Sequence, residues 1–145
     1  MSQPIDWEQA TDEATALLRE YLRIDTSNPP GNEARAVQFL AGVLAAEGIP
    51  SETAESAPGR SNLIARLGPP GPPICLLNHT DVVPVERDYW ETEPFGGELR
   101  DGMIWGRGAL DMKGMGIIEL MTFILLKRQG IGFRKPVSFL AVADE

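Results

Sequence analysis

The sequence has little that would connect it to an oxidising compartment, a membrane or nucleic acid. Its single cysteine, Cys75, excludes an internal disulfide, and the apolar residues around it predict a buried thiol. The first residues show no signal-peptide pattern, and no apolar run approaches the roughly 18 residues of a membrane span. Only 13 Lys and Arg stand against 21 Asp and Glu, and the net charge of −8 disfavours anionic partners. We expect a cytoplasmic protein with no nucleic acid and no membrane as partner.

Three segments have the spacing or the end signals of helices. Asp6 followed by Gln9 resembles a capping box and predicts a helix over 7–23. Asn32 is predicted to cap a second helix. The broadly apolar stretch 112–129 ends with basic residues and a glycine, which predicts a third and deeply buried helix.

Extended segments alternate with these helices. Strands are predicted over 51–56, 62–67, 74–78 and 137–142, and a hairpin with a two-residue Asp-Gly turn is predicted over 98–105. The last strand is almost continuously apolar, as expected for a strand covered on both faces. The pattern predicts an α/β fold with a mixed, largely parallel sheet and helices on both faces.

Polar side chains follow two of the predicted strands. His79 and Asp81 come directly after one strand, Glu145 ends the segment after another, and Asp111 precedes the third helix. Binding sites in parallel sheets form outside the carboxyl ends of the strands. If the two strands are parallel neighbours, these four side chains meet at one rim of the sheet.

Each of these residues also has a simpler interpretation. A lone histidine at a strand end is more often a hydrogen-bonded polar residue than a metal ligand. Asp111 alone would be a helix N-cap, and Glu145 alone would be a solvated acid. Asp81 lies two residues after His79 and would hold the far N–H of the imidazole, as partners of metal-bound histidines do. Lys113 is expected at the start of the third helix, over the site or in solvent.

Three sequence blocks, together with the Asn28–Gly31 loop, resemble a known family. The blocks cover residues 76–85, 105–115 and 143–145. Their His-x-Asp and Gly-Arg-Gly-Ala-x-Asp-Met-Lys motifs are similar to those of the zinc aminoacylase/carboxypeptidase family, which includes aminoacylase, acetylornithine deacetylase and succinyl-diaminopimelate desuccinylase. The resemblance implies a zinc-exopeptidase-like catalytic domain.

The resemblance also implies roles for the matching residues. His79 would bind one metal ion, and Asp111 would bridge two ions, with a cis peptide bond after it. Asp81 would orient the imidazole and Glu145 would be the general base, so both are candidate catalytic residues. The implied cofactors are two divalent metal ions, zinc or alternatively cobalt or manganese.

The implied activity is hydrolysis of amide bonds in N-acyl amino acids or small peptides by a zinc-dependent amidohydrolase or metallopeptidase. Residues 1–145 would be the N-terminal portion of the catalytic domain, without the inserted lid and dimerisation domain that would form a homodimer. We expect these residues alone to be inactive. The alternative is a non-catalytic binding or interaction module derived from the same fold.

Overall fold

The computed structural model describes residues 4–145; residues 1–3, at the start of the segment without a signal-peptide pattern, lie outside the described residues. These described residues form three helices and six strands, with one short 3-10 turn over Arg87–Tyr89 between the third and fourth strands. The helices are α1 (Trp7–Leu22), α2 (Glu33–Ala46) and α3 (Lys113–Arg128). The strands are β1 (Ser51–Ala57), β2 (Arg60–Leu67), β3 (Ile74–His79), β4 (Glu98–Arg100), β5 (Met103–Trp105) and β6 (Val137–Val142).

The predicted helices and strands are present, and their ends follow the local signals. The Asp6 side chain accepts a hydrogen bond of 3.0 Å from the backbone N–H of Gln9, as the capping-box pattern predicts. Asn32 stands at the N-cap of α2, but its side chain makes no capping hydrogen bond, so that part of the prediction is wrong. The two turn residues of the hairpin, Asp101 and Gly102, both have positive φ. A two-residue turn of this kind matches the right-handed twist of the strands on either side.

The main sheet has four strands in the order β1-β2-β6-β3. Strands β3 and β6 pair in parallel, whereas β1 with β2 and β2 with β6 pair antiparallel. The mixed sheet with helices is therefore confirmed. The prediction that the sheet is largely parallel is wrong for these four strands. One reason is that β1 and β2 are joined by a tight turn, which can connect only antiparallel strands.

The three helices pack on one face of this sheet rather than on both. Alternate residues of the strands join the helices in a single buried core: Leu63, Ala65, Val137, Phe139 and Ala141. The Phe123 ring of α3 lies 6.0 Å from the Phe139 ring of β6. Ile64, Leu77 and Leu140 point the other way and take no part in that core. Within residues 4–145, the expectation of helices on both faces is therefore wrong.

This arrangement also explains the exposure of Cys75, which was expected to be buried. Cys75 pairs with Ser138 on the face opposite the helices, and β3 is an edge strand of the described sheet. The thiol is consequently exposed, although its sequence neighbours are apolar. None of the helices described in residues 4–145 combines the length and the apolar character that a membrane crossing requires.

Candidate metal centre

The parallel pairing of β3 with β6 brings two polar chain segments to the same rim of the sheet. In the register of this pair, His79 at the end of β3 lies beside Val142 at the end of β6. The backbone N–H of Thr80 continues the ladder by donating to the carbonyl of Val142 at 2.8 Å. The chain after β6 then reaches Glu145 above the end of β3, as the sequence pattern predicts for parallel neighbours.

His79, Asp111 and Glu145 form a cluster at this rim. One potential ligand atom from each residue lies within 4.8 Å of the others. The Nε2 atom of His79 is 3.1 Å from Oδ1 of Asp111 and 3.9 Å from Oε2 of Glu145. The imidazole is largely buried, whereas the two carboxylates are open to solvent. One imidazole and two carboxylates are a suitable ligand set for zinc, so these residues fit one divalent ion.

Asp81 contacts the opposite nitrogen of the His79 ring. The Nδ1 atom lies 3.0 Å from the backbone carbonyl oxygen of Asp81 and 3.4 Å from its carboxylate. With Nδ1–H donating to this residue, the Nε2 lone pair is directed at Asp111 and Glu145, as metal-binding histidines require. The structure thus places Asp81 beside the imidazole, with the backbone oxygen closer than the side chain.

Asp111 lies in the turn that leads into α3. The N-cap position of this helix is occupied by Met112, and no side chain caps it, so the simple N-cap interpretation of Asp111 does not hold. The peptide bond between Asp111 and Met112 is cis, as the resemblance implies. The Asp111 carboxylate is therefore available to the cluster rather than to the helix terminus.

Lys113, two residues further on, does not lie over the cluster or in solvent. Its side chain is fully buried, and its ammonium donates to the backbone carbonyls of Ile24 at 2.6 Å and Tyr21 at 3.3 Å. Burial lowers the pKa of Lys113 to about 8, and the charge of Asp25 opposes this shift. Lys113 therefore ties the start of α3 to the end of α1, which corrects the expectation from the sequence.

Four polar residues around the cluster were not singled out by the sequence pattern. Asn28, Glu33, Arg60 and Asp144 connect through side-chain hydrogen bonds that reach Asp81. The hydrogen bond from Asn28, and then that from Arg60, hold the pKa of Asp144 below its usual range. The local signals were the Asn28–Gly31 loop and the block 143–145, whereas Glu33 and Arg60 meet these segments only in the folded chain.

The fold and the cluster together define an α/β domain with a candidate metal site at the sheet rim. A family model described as Peptidase family M20/M25/M40 matches residues 75–145, the segment that contains all three cluster residues. Over this second part of its length, the chain is similar to that family.

Curated relatives are similar to this chain along most of its length. The succinyl-diaminopimelate desuccinylase of Methylobacterium sp. (strain 4-46) is 37% identical over 141 residues, which cover 93% of this chain and 35% of the relative. The enzyme of the same name from Methylorubrum populi is 39% identical over 137 residues, covering 90% of this chain and 35% of the relative. The chain therefore spans about a third of the length of the curated relatives it matches.

Solved structures share the fold. The M20 family metallo-carboxypeptidase Sso-CP2 from Sulfolobus solfataricus superimposes with a TM-score of 0.78 at 24% identity, over 90% of this chain and 30% of that one. Human carnosine dipeptidase 1 gives a TM-score of 0.70 at 25% identity, over 96% of this chain and 35% of the other. The resemblance inferred from the motifs is thus confirmed, and so is the fold class in its coarser form, a mixed sheet with helices.

Proposed function

We propose that the protein containing these residues is a metal-dependent hydrolase of amide bonds in N-acyl amino acids or small peptides. The observation that carries the proposal is the convergence of His79, Asp111 and Glu145 at one rim of the sheet. The relatives named as desuccinylases, a carboxypeptidase and a dipeptidase support a small amide substrate.

In this proposal the Nε2 atom of His79 and a carboxylate oxygen of Asp111 would hold the metal. When bound, divalent ions polarise a scissile carbonyl and increase the acidity of water. We propose that two divalent ions would bind here and that Asp111 would contribute to both sites, with zinc as the metal and cobalt or manganese as alternatives. Described residues supply one cluster of three ligand groups, so any second ion would need ligands from elsewhere in the protein.

Glu145 is the proposed general base. Its carboxylate is solvent-accessible and lies 3.9 Å from the His79 imidazole, within reach of a water molecule at the cluster. From there Glu145 takes the proton of the attacking water and delivers it to the departing amine. Asp81 keeps the imidazole in the orientation that directs Nε2 at the cluster.

The test is Glu145→Gln in the complete polypeptide that contains these 145 residues. N-succinyl and N-acetyl amino acids and dipeptides are offered to the zinc-loaded protein. We expect kcat to fall by roughly 10²–10⁴-fold with little change in KM, because the amide keeps the shape of glutamate but cannot accept the proton. Glu52→Gln on the exposed strand β1 is the matched control and keeps full activity.

Two results would contradict the proposal. Near-normal turnover by the Glu145→Gln variant would refute the assignment of the general base. No hydrolysis of any of these substrates by the unmodified polypeptide would refute the enzyme and favour the non-catalytic binding module. The homodimer formed through a further domain and the cytoplasmic location stay predictions, which sedimentation and cell fractionation test.

A further inference from the structure

A hydrogen-bonded network connects the start of α2, the start of β2 and the segment after β6. We call Asn28, Glu33 and Arg60 the Asp144 clamp, because Asn28 and Arg60 donate to that residue and Glu33 accepts from Arg60. The Nη2 group of Arg60 donates to Oε1 of Glu33 at 2.8 Å and to Oδ1 of Asp144 at 3.0 Å. The Nδ2 group of Asn28 donates to the same Asp144 oxygen at 2.7 Å and to Oδ2 of Asp81 at 3.0 Å.

Glu33 holds Arg60 in place from the interior. The Glu33 side chain is fully buried at the beginning of α2, whereas the Arg60 side chain is 21% exposed. A buried carboxylate is costly unless it is paired and hydrogen-bonded, and Arg60 supplies both Nε and Nη2 as donors. The guanidinium therefore has one favoured position, from which its remaining Nη2 hydrogen is directed at Asp144.

Asp144 in turn is held in an uncommon backbone conformation. Its φ of 69° lies in the left-handed region, where residues other than glycine are uncommon and aspartate is among the tolerated ones. Its backbone N–H donates to Oδ1 of Asp81 at 3.1 Å. Both carboxylate oxygens of Asp81 thus accept hydrogen bonds from the network, one from Asn28 and one from Asp144.

This geometry controls where the next residue lies. A left-handed residue reverses the direction of the chain, so the conformation of Asp144 decides whether Glu145 points to the His79 imidazole or away from it. The same network also fixes the carboxylate of Asp81, which contacts the far side of that imidazole.

We propose that the Asp144 clamp is a positioning device: Arg60, anchored by Glu33, and Asn28 hold Asp144 so that Glu145 and Asp81 are aligned on His79. The inference rests on the proposed function, because it assigns the clamp to the same reaction. Neither Arg60 nor Glu33 contacts the cluster directly, so both act through Asp144.

The first test separates the backbone conformation of residue 144 from its carboxylate, in the complete polypeptide. Asp144→Gly still permits a positive φ but removes the acceptor for Arg60 and Asn28. Asp144→Asn keeps both an acceptor oxygen and tolerance of the left-handed region. We expect kcat to fall by roughly 10–100-fold in Asp144→Gly with KM within about twofold, and activity near that of the unmodified protein in Asp144→Asn.

The second test addresses Arg60. Because Arg60→Met alone would leave Glu33 buried and unpaired, the variant is Arg60→Met combined with Glu33→Gln. We expect the same loss of kcat as in Asp144→Gly, and no additional loss when the two changes are combined, because both break one network. Arg66→Met is the matched control from the same strand. Arg66 is exposed and forms a long ion pair of 3.8 Å with exposed Glu52, so we expect kcat to stay unchanged.

The third test does not depend on activity. In the 145-residue chain, hydrogen exchange measured by NMR reports the Asp144 N–H bond to Asp81 directly. We expect protection of the Asp144 amide to fall at least about tenfold in the Arg60→Met/Glu33→Gln variant. The amide of Thr80, bonded to Val142 in the sheet ladder, stays protected as an internal reference.

The outcomes distinguish the clamp from the function on which it rests. Unchanged Asp144 protection overturns the clamp even if the unmodified protein hydrolyses amides. Loss of protection with no hydrolysis by the unmodified protein supports the clamp and refutes the proposed function. Loss of protection with full kcat in both clamp variants shows a merely structural network and overturns its positioning role.

Discussion

Nε2 of His79 and Oδ1 of Asp111 lie 3.1 Å apart, although 32 positions separate the two residues along the chain. The imidazole comes from the end of a strand, and the carboxylate comes from the turn before α3. Because the opposite ring nitrogen is engaged by Asp81, the pair leaves Nε2 directed at two carboxylates. Four predictions examine this site and the packing that supports it.

Asp81→Asn should weaken metal binding and activity of the complete polypeptide by about 10–100-fold. Both oxygens of this carboxylate accept hydrogen bonds, from Asn28 and from the Asp144 amide. An asparagine would present an N–H to one of these donors, which would displace the residue that holds the imidazole. Competition with a chromogenic zinc chelator measures the affinity. The control is Asp12→Asn on the exposed side of α1, and equal affinities in the two variants would refute the role of Asp81.

The 145-residue chain should not hold two tightly bound zinc ions. Its described residues bring three ligand groups to one cluster, and a catalytic zinc takes about three protein ligands by itself. Titration calorimetry should therefore show at most one site, which His79→Ala abolishes. Two tight, stoichiometric sites would contradict this expectation.

Gly114→Ala should unfold or strongly destabilise the chain, by about 2 kcal/mol or more. A Cβ at this position would lie 2.1 Å from the backbone oxygen of Ala109, in the turn that carries Asp111. The clash is with backbone, so a side-chain movement cannot relieve it.

Gly42→Ala is the matched control for this change. Gly42 is also helical, but it is exposed, and a Cβ there would meet nothing within 4 Å. We expect Gly42→Ala to stabilise the chain by about 0.5–1 kcal/mol, because alanine favours the helix more than glycine does. Urea unfolding measures the free energy of unfolding of both variants. Equal changes in the two would refute the clash between a Cβ at position 114 and Ala109.

Arg128→Met should destabilise the chain by about 1 kcal/mol at neutral pH, or roughly 3 °C in Tm. Its guanidinium forms two-point hydrogen bonds with Glu13 of α1 and with Glu47 after α2, at distances between 2.6 and 3.0 Å. These contacts join all three helices at one end of the core. Arg66→Met, which removes only an exposed pair, should change Tm by much less.

The same variant has a defined pH dependence. The hydrogen bond from Arg128 lowers the pKa of Glu47 in the folded chain, against the weaker opposing effect of burial. The stabilisation is therefore complete above the pKa of an unfolded glutamate and is lost as the pH falls through the lower folded pKa. Thermal unfolding measured from pH 7 downwards should show a difference from the unmodified chain that decreases as the pH falls. A difference that is the same at every pH would refute the ionic origin.

Local patterns predicted much of the fold. Asp6 with Gln9 marks the start of α1, and the paired positive φ values at Asp101 and Gly102 follow from the Asp-Gly turn. These features depend on residues within one turn of each other, so a short stretch of sequence contains the whole cause. The strand ends at His79 and near Glu145 were predictable for the same reason.

Burial was less predictable, because it depends on what lies across the sheet. Cys75 has apolar sequence neighbours but faces away from the helices on an edge strand, and it is exposed. Lys113 has the most hydrophilic of side chains but is fully buried, since two backbone carbonyls at the end of α1 accept its hydrogen bonds. The residue types along one segment therefore predict neither the exposure of Cys75 nor the burial of Lys113.

The amino-acid order by itself determined which side chains are available at the ends of β3 and β6, because polar residues directly follow the apolar run of each strand. Only the folded chain decided that Asp111 approaches His79, that the helices share one face of the sheet, and that Arg60 reaches Asp144 across 84 positions. Such contacts depend on the relative placement of whole elements, which is set by the packing of a common core rather than by any local preference.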